Sequence, residues 1–479
     1  MNFNSRRYFL FLLFVFILFQ WVPARARWLV LLLSSVAFYL ALGAPHLVVV
    51  LLAVTTLTYA AGLGLARCRN EKTKRAILWV AIGANILIWV LSRCAPSLLE
   101  YFHLPVDSDM FTTIGVSYFC SQAISYVIDV FLGTAAVEAH FGYFALYMAF
   151  FPKLLQGPIE RAGDMLPQFH KRYEFNYDDA RKGLVLFTWG LFKKVVVANN
   201  LAPFVDVVYK DAHSFQGISL ICATYLFALQ IYFDFSGYTD MAMGSAQLFG
   251  IRLTANFNSP YGARSIADFW RRWHISFSRW LSDYIFKPLQ FEFRRAGTLG
   301  TVAALLITFL GSGLWHGLNV NFVVWGLLHG FFLSTAIVCG PIIARWHKRL
   351  GWESSWALAG WQRFATFNLV CFAWIFFRAE SFADACYLVA HLFDGFGTLS
   401  ADFKSMDFIS RAILMGQDWR SFWLILGSVS IVTLVEWKRR AMDLFAWPVW
   451  MRWGVYYSLV ITILAFGVFD ASPFLYFKF

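Results

Sequence analysis

Two histidines stand where they could move protons. His316 lies in Gly313-Leu314-Trp315-His316-Gly317-Leu318-Asn319, an otherwise apolar, glycine-punctuated run, and His274 lies in Asp268-Phe269-Trp270-Arg271-Arg272-Trp273-His274-Ile275-Ser276. Imidazole, with an ordinary pKa near 6.5, can take a proton from a hydroxyl and return it to a leaving group at neutral pH. In hydrocarbon its two nitrogens must find partners, so an ionisable residue at such a depth marks a functional site by default. A histidine hydrogen-bonded between helices is the structural alternative, and His316 alone leaves that alternative open. The carboxylates Asp234 and Asp240 stand six apart, a poor spacing for one helix face, which argues against a paired acid/base site. Seven scattered cysteines without a CxxC spacing point to buried or cytosolic thiols rather than disulfides or a metal site.

The elements that must position these histidines are membrane helices. The chain has 479 residues, 59% hydrophobic and 14% charged, against roughly 25% charged in soluble domains. Apolar runs recur from Tyr8–Val22 and Trp28–Leu42 to Gly454–Phe469, several shorter than the roughly 20 residues needed to cross a bilayer. We therefore expect about eleven to thirteen membrane segments, some of them half-length or re-entrant, in one integral domain spanning residues 1–479. The net charge of +12 sits in short loops and reads as topology and lipid-headgroup contact, not nucleic-acid binding. The basic loop from Arg67 to Arg75 reads as cytoplasmic, and Ala95–Met110, with acidic residues and no Lys or Arg, as the opposite side.

Around the histidines the spacing is more specific. Gly313 and Gly317, like Gly326 and Gly330, are four apart, so each pair would form a groove for close helix approach. Trp270, Trp273, Phe277, Trp280 and Tyr284 follow a 3, 4, 3, 4 spacing, which predicts one amphipathic interfacial helix with charges opposite the aromatic stripe. The stretch Phe151–Arg161, carrying Pro and Gly, reads as a membrane helix broken by turn chemistry, and Cys371–Glu380 as a helix ending in a snorkelling Arg378.

Together, the Asp268–Ser276 block, Asp283-Tyr284, the Gly313–Asn319 block and Trp325-Gly326-Leu327-Leu328-His329-Gly330 resemble the signature blocks of the membrane-bound O-acyltransferase family. The branch is that of the bacterial alginate O-acetylases and the D-alanyl transfer protein of teichoic acid synthesis. The resemblance covers about residues 114–380, with departures at Ser282 and Gln290–Arg295 that bear on substrate rather than on the histidines. It implies an all-α polytopic bundle around a tunnel, in which His316 matches the catalytic histidine and His274 a second one. Trp315, Asn319, Asp268, Arg271 and Arg272 would line the tunnel or position substrate, and His274, or an amide such as Asn319, would orient the base or steady the oxyanion.

The activity so implied is O-acetyl transfer. The donor would be a cytoplasmic acyl thioester, acetyl-CoA or an acyl carrier protein, used as co-substrate with no bound cofactor or metal. The acceptor would be an exported glycan or wall polymer, with a periplasmic SGNH-hydrolase-like acyltransferase as partner, in the bacterial cytoplasmic (inner) membrane. A carrier-dependent D-alanyl transferase shares the pattern. A transporter or flippase would more often show internal repeats, and none is visible here.

Overall fold

The computed structural model describes residues 1, 3–43, 45–101, 115–352, 355–397, 404–438 and 444–469. The described residues are helical and contain no strand. Among the described residues, eight helices are long and apolar enough to cross a membrane: His46–Arg67, Glu71–Cys94, Tyr177–Lys210, Ile218–Leu248, Ile275–His316, Val320–Arg349, Trp419–Trp437 and Val449–Phe466. Shorter pieces accompany them, including Arg6–Trp21, Arg27–Leu40, Val116–Leu132 and the nine-residue Phe141–Ala149. Most of the expected Ala95–Met110 loop is not a described loop: Glu71–Tyr101 is helical, and residues 102–114 lie outside the described residues.

Contacts divide the chain into two compact units, one of Met1–Leu191 with Gly237–Ala255, the other of Phe192–Ser236 with the described part of Asn256–Leu475. In the first unit, Tyr8, Phe38 and Phe151 form an aromatic core, and Tyr8 is hydrogen-bonded to Ser245 at 2.9 Å. Small polar side chains satisfy themselves locally, as an apolar surround requires: Ser35 donates to Leu31 O and Thr55 to Leu51 O. Past Ala149 the chain leaves the helix in a buried turn segment, as the Pro and Gly of Phe151–Arg161 lead one to expect. There Lys153 donates to Gln122 Oε1 at 2.8 Å, and Glu160 accepts from the Thr254 backbone N–H and hydroxyl.

The second unit is built on a hairpin of two helices, Gly297–His316 and Val320–Arg349. A Cβ at Gly313 would meet the Phe322 carbonyl oxygen and one at Gly326 the Phe309 carbonyl oxygen, so these two glycines let the backbones touch. Of the pairs expected from the four-residue spacing, Gly326 and Gly330 both lie against the facing helix, a Cβ at Gly330 standing 3.3 Å from Leu306 Cα, whereas Gly317 lies beyond the helix end in extended backbone and faces the Phe322 ring. Trp356–Arg378 packs alongside, and Arg378 does not snorkel. It is buried, pairs with Asp206 at 2.7 Å, and lies over the Tyr209 ring.

Two consecutive lysines are also buried in this unit. The π-helical turn Lys193–Ala198 turns both Lys193 and Lys194 inward, where Lys194 pairs with Asp234 and Lys193 with Glu436 at 3.3 Å. Glu436 accepts a further hydrogen bond from Tyr232. Asp234 thus has a cationic partner in Lys194. Outward faces remain apolar. Trp450, Ile461 and Leu464 on Val449–Phe466 are exposed, which suits a lipid surround.

Candidate active site

His316 is the last residue of the first hairpin helix. The helix ends there because Gly317 turns extended and Asn319 caps the next helix, its side chain accepting from the Phe322 N–H at 3.1 Å. His316 is 4% exposed and sits among rings: Trp325 at 5.0 Å and Phe377 at 5.1 Å, both edge-on, and Trp315 at 4.9 Å. Asn319 itself is exposed, and its side-chain oxygen accepts the cap hydrogen bond.

His274 reaches the same ring cluster from another element, and that element is not the single helix expected. The helix of Ile266–Trp270 stops, His274 adopts a left-handed backbone with φ +41°, and a second helix begins at Ile275–Leu281. The break is fixed by Asn256, whose carbonyl accepts from Ile275 N at 2.9 Å and whose side-chain oxygen accepts from Ser276 N at 3.1 Å. Asn258 N donates to Arg272 O at 3.0 Å on the other side of the break. Tertiary hydrogen bonds here overrule an unbroken 3.6-residue pattern. The aromatic stripe lies inside the protein rather than at a lipid interface, since Trp270, Trp273, Phe277 and Trp280 are all buried.

The break brings His274 against Phe235 at 4.8 Å and Phe277 at 5.1 Å. Phe277 also lies 4.4 Å from Trp315 and 5.9 Å from His316, so one ring bridges the two histidines. His274, Trp315 and His316 are thus brought together. Asp268, Arg271 and Arg272 form a separate, partly exposed cluster, in which Asp268 accepts from Arg272 Nε at 3.0 Å and from Arg264 N at 3.2 Å. Partial burial would raise the Asp268 carboxyl, but these hydrogen bonds and the two guanidinium charges outweigh it and hold the carboxyl below the usual range.

A third histidine, His329 of the Trp325–Gly330 block, carries a signal that the resemblance does not use. His329 is fully buried, and its Nδ1 accepts from Trp270 Nε1 at 3.3 Å. Its signal is periodic: Asn321, Trp325 and His329 are four apart and all buried on one face of Val320–Arg349. Around His316 several buried polar atoms hydrogen-bond to no protein group: Ser312 Oγ, Asn321 Oδ1, Trp325 Nε1 and Trp374 Nε1. An interior with this many unused donors and acceptors suits a polar reactant better than a purely structural core.

A polytopic helical protein with a buried imidazole at a helix hairpin, lined by rings and unused polar atoms, is built as a membrane enzyme. Comparison with known sequences specifies which. A profile of the membrane-bound O-acyltransferase family matches residues 31–377, and the chain belongs to that family. It is 31% identical to a probable alginate O-acetylase of Pseudomonas putida over 98% of both chains. It is 34% identical to the peptidoglycan O-acetyltransferase of Helicobacter pylori, covering 75% of this chain and 72% of that one. A teichoic acid D-alanyltransferase of Bacillus subtilis is 24% identical over 67% of this chain and 82% of its own. The protein is therefore a multi-pass membrane O-acyltransferase.

Proposed function

We propose that this enzyme moves an acetyl group from a cytoplasmic thioester donor toward an exported polysaccharide or wall polymer at the bacterial inner membrane, with His316 as general base. The observation that carries the reading is His316 itself: a buried imidazole at the end of a helix, next to unused polar atoms, in a ring-lined interior that would limit water. An alcohol is a poor nucleophile until a base takes its proton, and a positioned base contributes roughly 10² to 10⁴-fold. Shielding from water would also suppress hydrolysis of the thioester. His274, joined to His316 through Phe277 and Trp315, would orient the base or the reactants. The greater identity to O-acetyltransferases than to the D-alanyltransferase favours acetyl over D-alanyl. No cofactor is needed beyond the acyl-CoA or acyl carrier thioester, and a periplasmic SGNH-hydrolase-like partner would complete transfer to the glycan.

The test is acyl transfer in membranes containing the wild type or His316→Ala, supplied with radiolabelled acetyl-CoA and the host's envelope polysaccharides. Label in polymer with the wild type only is expected, with the variant extracted from membranes in normal yield. Label from carrier-bound D-alanine instead would overturn the acetyl assignment. Failure of His316→Ala to fold would favour a structural role for the histidine.

A further inference from the structure

The base assignment leaves open what stabilises the negative charge that must develop on the acyl carbonyl oxygen. Resting on that assignment, we propose that the indole N–H of Trp325 is the oxyanion donor. An indole nitrogen can only donate, so a buried one without an acceptor calls for an oxygen from outside the protein. Trp325 is 1% exposed and its Nε1 hydrogen-bonds to no protein group. Trp270, packed edge-on against Trp325 at 5.9 Å, by contrast gives its N–H to His329. Trp374 shares the unused N–H of Trp325 and stacks on it at 5.9 Å, with an interplanar angle of 20°. Of the two, Trp325 is in ring contact with His316, at 5.0 Å and 89°.

The surroundings support a reacting group there. Ser312 lies one turn before His316 on the same helix face, and its hydroxyl is also buried without a protein partner. Its neighbour Thr308 spends its hydroxyl on the Ala304 carbonyl, the usual arrangement for such residues in an apolar helix. Ser312 and Trp325, with Asn321 one turn before Trp325 on the same helix, therefore offer two unused hydrogen-bond donors and two acceptors near the base.

In the step so assigned, the acceptor hydroxyl oxygen bonds to the thioester carbonyl carbon while His316 takes the hydroxyl proton. The carbonyl π electrons move to oxygen, and that oxyanion accepts a hydrogen bond from Trp325. Collapse re-forms the carbonyl, breaks the carbon–sulfur bond, and the departing thiolate takes the proton from the imidazolium to leave a free thiol. Trp325 neither gains nor loses a proton.

The test replaces Trp325 by benzothienylalanine, which puts sulfur in place of the N–H and keeps the ring shape, with Trp325→Phe as a second variant. Transfer of radiolabelled acetyl from thioester to polysaccharide is followed in membranes containing the full chain. Loss of one such donor lowers kcat by about 10² to 10³-fold, with KM changed by less than about threefold. The melting temperature and the pH midpoint of the rate should stay as in the wild type, because fold and base are untouched. A benzothienylalanine variant with kcat within about threefold of wild type, or one altered only in KM, overturns the assignment. His316→Gln, run in parallel, tests the base separately: its transferring at the wild-type rate removes the base reading whatever Trp325 does.

Discussion

Replacing Gly326 by alanine tests whether the hairpin geometry sets the position of His316. A Cβ there would be driven into the Phe309 carbonyl oxygen and would stand 3.1 Å from the Gly313 nitrogen. These are backbone atoms of the facing helix, which cannot rotate away as a side chain could. Restoring ordinary separation takes roughly 1 Å of helix movement, and overpacking of this kind costs about 1–3 kcal/mol. His316 lies on the helix that would move, and misplacing a reacting group by about 1 Å can cost 10²-fold in rate. Gly427 is the control. It lies inside the helix Trp419–Lys438 with nothing within 4 Å of its would-be Cβ, so Gly427→Ala should gain about 0.5–1 kcal/mol from helix propensity alone. Both variants would be compared by thermal melting of the detergent-extracted protein and by acyl transfer in membranes. Wild-type melting and activity in Gly326→Ala, or equal damage in Gly427→Ala, would refute the reasoning.

Three further expectations follow from the site and its supports. His274→Asn keeps a residue at ease in left-handed backbone, so melting should be preserved while transfer falls at least about tenfold; His274→Val should lose about 1–3 kcal/mol of stability, and unchanged transfer in the Asn variant would show the imidazole to be chemically idle. Lys194→Met leaves Asp234 short of its buried cation and should cost about 3–5 kcal/mol, most of it recovered in Lys194→Met with Asp234→Leu; no recovery by thermal melting would mean the pair is not the destabilised element. Asn319→Ala should cost about 1 kcal/mol through loss of the helix cap and leave transfer within about fivefold, whereas a loss of 10² would place Asn319 in the reaction.

Much of this was legible in the residues. The glycine-flanked His316, the aromatic face of residues 270–284 and the apolar spans all follow from local pattern, because burial in helices leaves a period in the sequence. What escaped was decided at a distance. The spacing of Trp270 to Tyr284 is continuous, and only the hydrogen bonds from Asn256 and Asn258 break the helix and turn His274 inward. Asp234 gives no local sign of its partner forty positions earlier, although two adjacent lysines in an apolar run demand buried acids. The cap role of Asn319 had a local signal, since an asparagine directly before an apolar helix is a strong cap residue. Asn321, Trp325 and His329 carry a four-residue period that is legible in the sequence beside that of the glycines.

The π-helical turn at Lys193–Ala198 has a consequence for how this chain is compared with others. Such a turn is an α-helix that has taken in one additional residue, and that residue lets adjacent lysines both face inward. An ungapped alignment drawn through it to a relative with a regular helix would match every position on one side to the wrong neighbour. Conservation scores would then scatter the acidic partners of Lys193 and Lys194 among unrelated columns. A single-residue gap placed within 193–198 would bring them back into register, and its presence or absence across relatives would record when the insertion was fixed.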